Sequence, residues 1–200
     1  MKRELYLMLA AVVLLTSCAA NITITPTYQP ETMSGDLLGA VPSTLIRLGR
    51  FEDRRPSNPE AVLIGRREAF DGMPMGDVFS ASPVFDVIRN AIQAELTTHG
   101  HNVVSGDEQI LITGEIQSFW VGTDVTAVYW DVIGDVSFSV EITDPDAHTS
   151  IKLGPYHGGN TERTYINPGK EMIARVVQKS TTEAVQSMIS DPAFIAGITR

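Results

Sequence analysis

Asp131-Val132-Ile133-Gly134-Asp135-Val136-Ser137-Phe138-Ser139-Val140-Glu141-Ile142-Thr143 is the stretch that decides the fold. Val136, Phe138, Val140 and Ile142 alternate with Asp135, Ser137, Ser139 and Glu141. Successive side chains on a strand point to opposite faces, so the alternation predicts a sheet with one buried face and one wet face. The dry face needs an apolar cover. Two amphipathic segments supply it, one on each side of this strand.

The first runs from Ser82, an N-cap residue, through Pro83 at the first helical position. Val84, Val87, Ile88, Ala91, Ile92 and Leu96 form its apolar stripe, and Gly100 closes it. The second takes Asn167 as cap and Pro168 as its first residue. Its stripe is Met172, Ile173, Val176, Val177, Ala184, Val185 and Met188, interrupted by Ser180 and Thr181. Pro192 ends it, and 193–198 reads as a last helical turn. Further strands are expected over 43–50, 61–67, 101–104 and 110–121, and over 150–156 and 161–166, broken at Gly158-Gly159. Gly72, Pro74 and Gly76 make 68–80 a loop. Two amphipathic helices and a half-wet sheet can bury their apolar faces only against each other. The expected fold is therefore α+β: a two-layer sandwich of a mainly antiparallel sheet packed against two helices.

The start of the chain carries a different signal. Lys2 and Arg3 precede an apolar run from Leu5 to Leu15. That run is too short for a membrane span, which needs roughly 20 residues, and has the length of a signal-peptide core. Leu15-Thr16-Ser17-Cys18 then reads as a lipobox, with cleavage between Ser17 and Cys18 and lipidation on the Cys18 thiol. Two or more acyl chains hold a protein stably, at ~0.8 kcal/mol per buried CH₂. Cys18 is the only cysteine, so the mature chain has no internal disulfide. Ala19, where an Asp would favour retention in the inner membrane, points to the outer membrane. Residues 1–17 are thus expected as the signal peptide, 18–42 as lipidated cysteine and Thr/Pro-rich tether with a short edge strand near 22–25, and 43–200 as one domain.

Removal of Lys2, Arg3 and Glu4 leaves 13 basic and 23 acidic residues, a net charge of −10. Such a charge argues against nucleic acid as a partner and against a polybasic attachment to anionic lipids.

The order of weak motifs resembles the YajG-like family of uncharacterised bacterial lipoproteins. The resemblance runs over most of the chain: the lipobox and tether, Asp53-Arg54-Arg55 after a strand, Ile64-Gly65-Arg66-Arg67 in the next, and a helix ending Glu95-Leu96-Thr97-Thr98-His99-Gly100. The strand 110–119 and the close Asp191-Pro192-Ala193-Phe194-Ile195 extend it. It implies an outer-membrane lipoprotein with a small α+β domain, and no catalytic residues.

Asp53 and Arg55 are candidates for gripping a partner, because a guanidinium fork suits carboxylates and phosphates; the alternative is a pair that pins the loop after the first strand. Trp120, Tyr129 and Trp130, with Phe119, flank Gly122-Thr123-Asp124, read as a hairpin connection. They are candidates for a partner or membrane interface, with cross-strand core packing as the alternative. Adjacent aromatics on a strand point to opposite faces, so one ring of each pair is expected outward or under a helix. His99, His101, His148 and His157 are scattered and carry no metal-site spacing. No nucleophile elbow, Ser-x-x-Lys or Walker loop occurs, and no cofactor motif. The expected function is a non-enzymatic envelope lipoprotein that meets the bilayer through acylated Cys18 and binds an envelope protein. The alternatives are a lipid or cell-wall transport accessory with a groove between helices and sheet, and a hydrolase with a dispersed site.

Overall fold

The computed structural model describes residues 20–30, 37–56 and 59–199. Its spine is a hairpin of two long strands, β6 (Ile110–Val125) and β7 (Trp130–Asp144), paired antiparallel along their whole length. β8 (Thr149–Thr164) pairs antiparallel with the far edge of β7. The other edge of β6 is shared by two strands in tandem. β2 (Leu45–Asp53) lies parallel to its first half, and β3 (Leu63–Glu68) lies parallel to Val121–Gly122. β5 (Asn102–Val103) adds parallel beyond β2. β4 (Pro74–Ser80) adds antiparallel beyond β3, and β1 (Ile22–Ile24) closes that side, parallel to β4.

The sheet is open and mixed, which corrects the expectation of a mainly antiparallel one. Its antiparallel half comes from hairpins. Its parallel half comes from strands returning after long connections, the only route to parallel pairing.

Two long helices, α1 (Val84–Thr98) and α2 (Lys170–Ile189), supply the cover. α1 buries Val84, Val87, Ile88, Ala91, Ile92 and Leu96, and α2 buries Ile173, Val176, Val177, Ala184, Val185 and Met188, as their stripes predict, while Met172 of the second stripe is half-buried. α2 packs on β7 and β8, where Val132, Val136, Phe138 and Val140 are buried as the alternation requires, and α1 packs on β2, β5 and β6. Each such side chain contributes roughly 1.5–3 kcal/mol when taken out of water. The chain ends in a third helix, α3 (Pro192–Ile198), capped by the Asp191 carboxylate, which accepts from the Ala193 amide at 2.8 Å. The same carboxylate accepts from the Tyr156 hydroxyl at 2.8 Å, and burial with this negative neighbour pushes the phenol pKa up.

Several local expectations are corrected. Segment 68–80 is a hairpin, not a loop. Pro74 starts β4, where a missing N–H costs little, and Gly76 at φ 114° lets the incoming chain pass, since a Cβ there would stand 2.5 Å from the Ala20 carbonyl oxygen. α1 begins after Pro83, which occupies the cap position itself, and α2 begins after Gly169 rather than at Pro168; neither start has a side-chain cap. Gly100, at φ 88°, closes α1 as expected. β6 runs on through Gly122-Thr123-Asp124, and the chain turns at 126–129 instead.

β8 is unbroken through Gly158-Gly159. Gly158, Gly134 and the small residues in the α2 stripe share one cause. A Cβ on Gly158 would lie 2.1 Å from the Ser180 carbonyl oxygen, and one on Gly134 would lie 2.6 Å from Ser180 Oγ. Ser180 and Thr181, polar in sequence, are buried where α2 approaches the strand backbone.

The segment expected as tether also changes. Ile22–Ile24 pairs in register with Val78–Ser80, and Ile24 and Leu38 are fully buried. Arg67 donates to the Ala20 carbonyl, and the Asn21 side chain accepts from the Asp77 amide at 2.9 Å. The expected edge strand is present, and the described part of the segment is fastened to the fold at Ala20–Ile24 and at Leu38 rather than free. The expected signal peptide, Ser17 and Cys18 lie outside the described residues.

A candidate binding surface on the open face of the sheet

Between the end of β2 and the start of β3, the edge of β6 from Gln117 to Trp120 has no partner strand among the described residues. The loop after β2 fills this gap with one side chain. All five N–H donors of Arg55 are engaged: Nε and Nη2 grip the Asp53 carboxylate at 2.9 and 2.8 Å. Nη1 donates to the carbonyls of Leu63 (2.6 Å) and Phe119 (3.2 Å), and Nη2 also donates to Glu60 (3.1 Å). A guanidinium has five donors and no acceptor, so Arg55 has none left for a ligand, and its side chain is 4% exposed. Asp53 and Arg55 thus act together as a bolt joining β2, β3 and β6.

Arg55 lines a groove of about 490 Å³ together with Pro56, Pro59, Leu63 and Trp120. The aromatic dipeptide splits as strand geometry requires: Phe119 is 1% exposed in the core, and Trp120 is 40% exposed on the open face. Tyr129 and Trp130 do not join it. Trp120 pairs with Asp135 and Trp130 with Val125, which puts the two tryptophans five register steps, ~17 Å, apart along the hairpin. Trp130 is half-buried at the turn end of the hairpin, and Tyr129 lies under the Arg163 guanidinium, 3.6 Å from its ring centre. Arg163 also grips Asp131 through two bonds of 2.8 Å, which holds that carboxylate below its usual pKa.

The polar side of the groove centres on Asp135. Its carboxylate accepts from the Ser118 hydroxyl and faces His157 Nδ1 at 3.3 Å. A serine, an aspartate and a histidine thus meet on the open face, but in the wrong order for nucleophilic catalysis. A catalytic serine gives its proton to the imidazole, and the carboxylate orients the far side of that ring. Here the carboxylate stands in the middle and the hydroxyl donates to it. The arrangement can orient a ligand's donor; it gives Ser118 no base. Asp135, Ser118 and His157 were missed as site residues. The alternation around Val136 already put Asp135 on the wet face, but pairing it with Trp120 needs the position of the turn.

His99 and His101 have structural partners. His99 Nε2 lies 3.0 Å from the Glu95 carboxylate, which is fully buried and also accepts from the Tyr28 hydroxyl and from Gln186 Nε2 at 3.0 Å. This cluster joins α1, α2 and the segment after β1. His101 accepts from the Thr44 amide at 3.3 Å. Among the described residues, no three His, Cys, Asp or Glu side chains group as metal ligands, and no helix is long and apolar enough to cross a membrane.

No family model matches the sequence and no curated protein matches it, so the YajG-like resemblance stays with the motif order. Solved structures do match. A Xanthomonas campestris protein of the family DUF330 has a TM-score of 0.58 at 7% identity, with 88% of this chain and 96% of that one covered. An uncharacterised protein gives 0.47 at 14% identity, covering 83% of this chain and 97% of that one. A putative neuraminyllactose-binding hemagglutinin homolog from Helicobacter pylori gives 0.40 at 9%, covering 86% and 95%. The chain is similar in fold to the Xanthomonas protein over nearly its whole length.

Proposed function

We propose that this chain is a bacterial envelope lipoprotein, held to the outer membrane through acylated Cys18, whose domain binds another envelope component in the groove beside Trp120. The lipobox supports the anchor. The observation that supports binding is the groove: a half-exposed tryptophan, two prolines and a leucine at a gap in the sheet, with Asp135 beside them to orient a donor. Tryptophan at the centre of a partly desolvated pocket is the commonest kind of binding hot spot. The open face, not the helix–sheet layer, offers the space. Where a transport groove would have to open beside α2, Gly134 and Gly158 bring helix and strand into backbone contact.

A photo-crosslinking residue placed at Pro56, at the groove's rim, tests this in membranes that hold the lipidated protein. The reading expects a discrete adduct that disappears when Trp120→Ala is added. An adduct pattern indifferent to Trp120→Ala, or identical from a probe at Lys152, would contradict it.

A further inference from the structure

We propose that one end of the sheet is a membrane-contact rim, in which Phe70, Met73, Val128, Tyr165 and Ile166 lie on the bilayer beside the lipid anchor. This placement rests on the lipid-anchor reading of Cys18 and adds the surface that meets the lipid.

The five residues are 54–76% exposed, although each is large and apolar. Topology gathers them. β3 runs parallel to β6, so the β3–β4 connection with Phe70 and Met73 emerges at the end of the sheet where β6 turns into β7. Thr123 Oγ ties it there, accepting from the Glu68 amide at 2.8 Å and donating to the Glu68 carbonyl at 2.9 Å. Val128 is in that turn. Trp130 pairs with Thr164, so Tyr165 and Ile166 follow immediately at the same end.

The start of the docked chain is at this end too. β1 runs parallel to β4 with Ile22 opposite Val78. Ala20 therefore stands level with Gly76, to which its carbonyl packs closely, and Gly76 pairs with Arg67 near the top of β3. Cys18 is two residues away, and two residues of chain reach at most ~7 Å. Acyl chains on Cys18 thus bring the bilayer to this end and to no other. Covalent attachment raises the local concentration of the rim at the surface, so even modest apolar burial is used. Tyrosine beside aliphatic residues is the composition of an interfacial belt. The processed chain's net charge of −10 does not draw it to anionic lipid, so the contact is chiefly apolar and does not depend on anionic lipid. The strands then stand away from the membrane, and Trp120, five residues below Val125 on β6, faces sideways ~17 Å farther from it.

The test uses the full-length, acylated protein in phosphatidylcholine vesicles, with acylation verified by mass. Nitroxide labels are placed one at a time through Val128→Cys and Ile166→Cys at the rim and Ala147→Cys in the β7–β8 turn at the opposite end. The expected result is a several-fold higher ratio of oxygen to nickel-chelate collisions at 128 and 166 than at 147, unchanged when anionic lipid is added. Equal, water-like ratios at all three positions in an acylated sample overturn the rim and leave the anchor standing. Spin–spin broadening at 128 and 166 assigns the rim to a second copy and overturns it as well. A product without acyl mass overturns the anchor reading itself, and the rim with it.

Discussion

Arg55 holds three strands with five hydrogen bonds, and its removal has a cost set by what it leaves behind. Arg55→Ala would strand the Asp53 carboxylate and three carbonyls in a buried gap, so we expect a loss of about 3–5 kcal/mol in urea unfolding, the range for breaking a buried pair. Arg66→Ala, which removes an exposed partner of Asp77 at 3.0 Å, should cost at most about 1 kcal/mol. Equal effects would refute the bolt. The neighbouring aromatics give a second contrast. Phe119→Ala should destabilise by about 3–5 kcal/mol, as truncation of a core phenylalanine does. Trp120→Ala, at a residue still 40% exposed, should cost clearly less than Phe119→Ala and abolish crosslinking at the groove. At this scale the sequence was informative in part. The opposite orientation of Phe119 and Trp120 follows from strand geometry alone. Whether Asp53 and Arg55 face a partner or each other depends on the gap between β2 and β3, which no local pattern encodes.

The contact of β8 with α2 decides how closely the helix layer approaches the sheet. Gly158→Ala must displace backbone atoms of Ser180 and Ala184, the latter 2.4 Å from the new Cβ, and should cost about 1–3 kcal/mol or more. Gly159→Ala meets nothing nearer than 3.5 Å and should be close to neutral. Thermal melts of the two variants separate a close-packing glycine from a strand interruption. Charge fastens the same pair of elements. Glu162 on β8 accepts from Arg175 at 2.7 Å and from Lys179 at 2.8 Å, both on α2, and the two cations, Arg175 foremost, hold its pKa down at about 2, from 4.5. A depressed carboxylate pKa stabilises the fold above the unfolded value and loses that contribution as pH falls through the folded one. The clamp should therefore be complete above about pH 4.5 and lost on acidification towards 2. Because its partners are half-exposed, Glu162→Gln should cost about 1 kcal/mol at neutral pH, and the difference from wild type should vanish near pH 2. A difference that persisted there would show that the ion pair is not its source.

The elements that rely on long periodicity, α1, α2, β6 and β7, were legible because burial of one face leaves a repeating mark. β4, the continuity of β8 and the helix starts were not. Gly and Pro there answer to tertiary neighbours, and a window of sequence reads them as breaks.

The whole molecule was the least legible scale. The Thr/Pro-rich segment reads as a tether with a short edge strand, and that strand is present at Ile22–Ile24. What composition hides is how firmly the segment is held: few apolar residues suffice when a neighbouring strand supplies the hydrogen bonds, and Leu38 is buried. The consequence is large. A free tether of that length could hold the domain tens of ångströms from the bilayer, whereas docking at Ala20 leaves one residue, Ala19, between the fold and the proposed anchor at Cys18. Location, orientation and the height of the Trp120 groove all descend from acylation of Cys18. Intact mass and membrane fractionation of the protein, with and without Cys18→Ser, test that claim most directly. The account predicts that the wild-type protein lacks residues 1–17, carries acyl mass and sediments with the outer membrane, and that the variant is unacylated and unprocessed at Cys18. A wild-type protein recovered soluble and without acyl mass would contradict it.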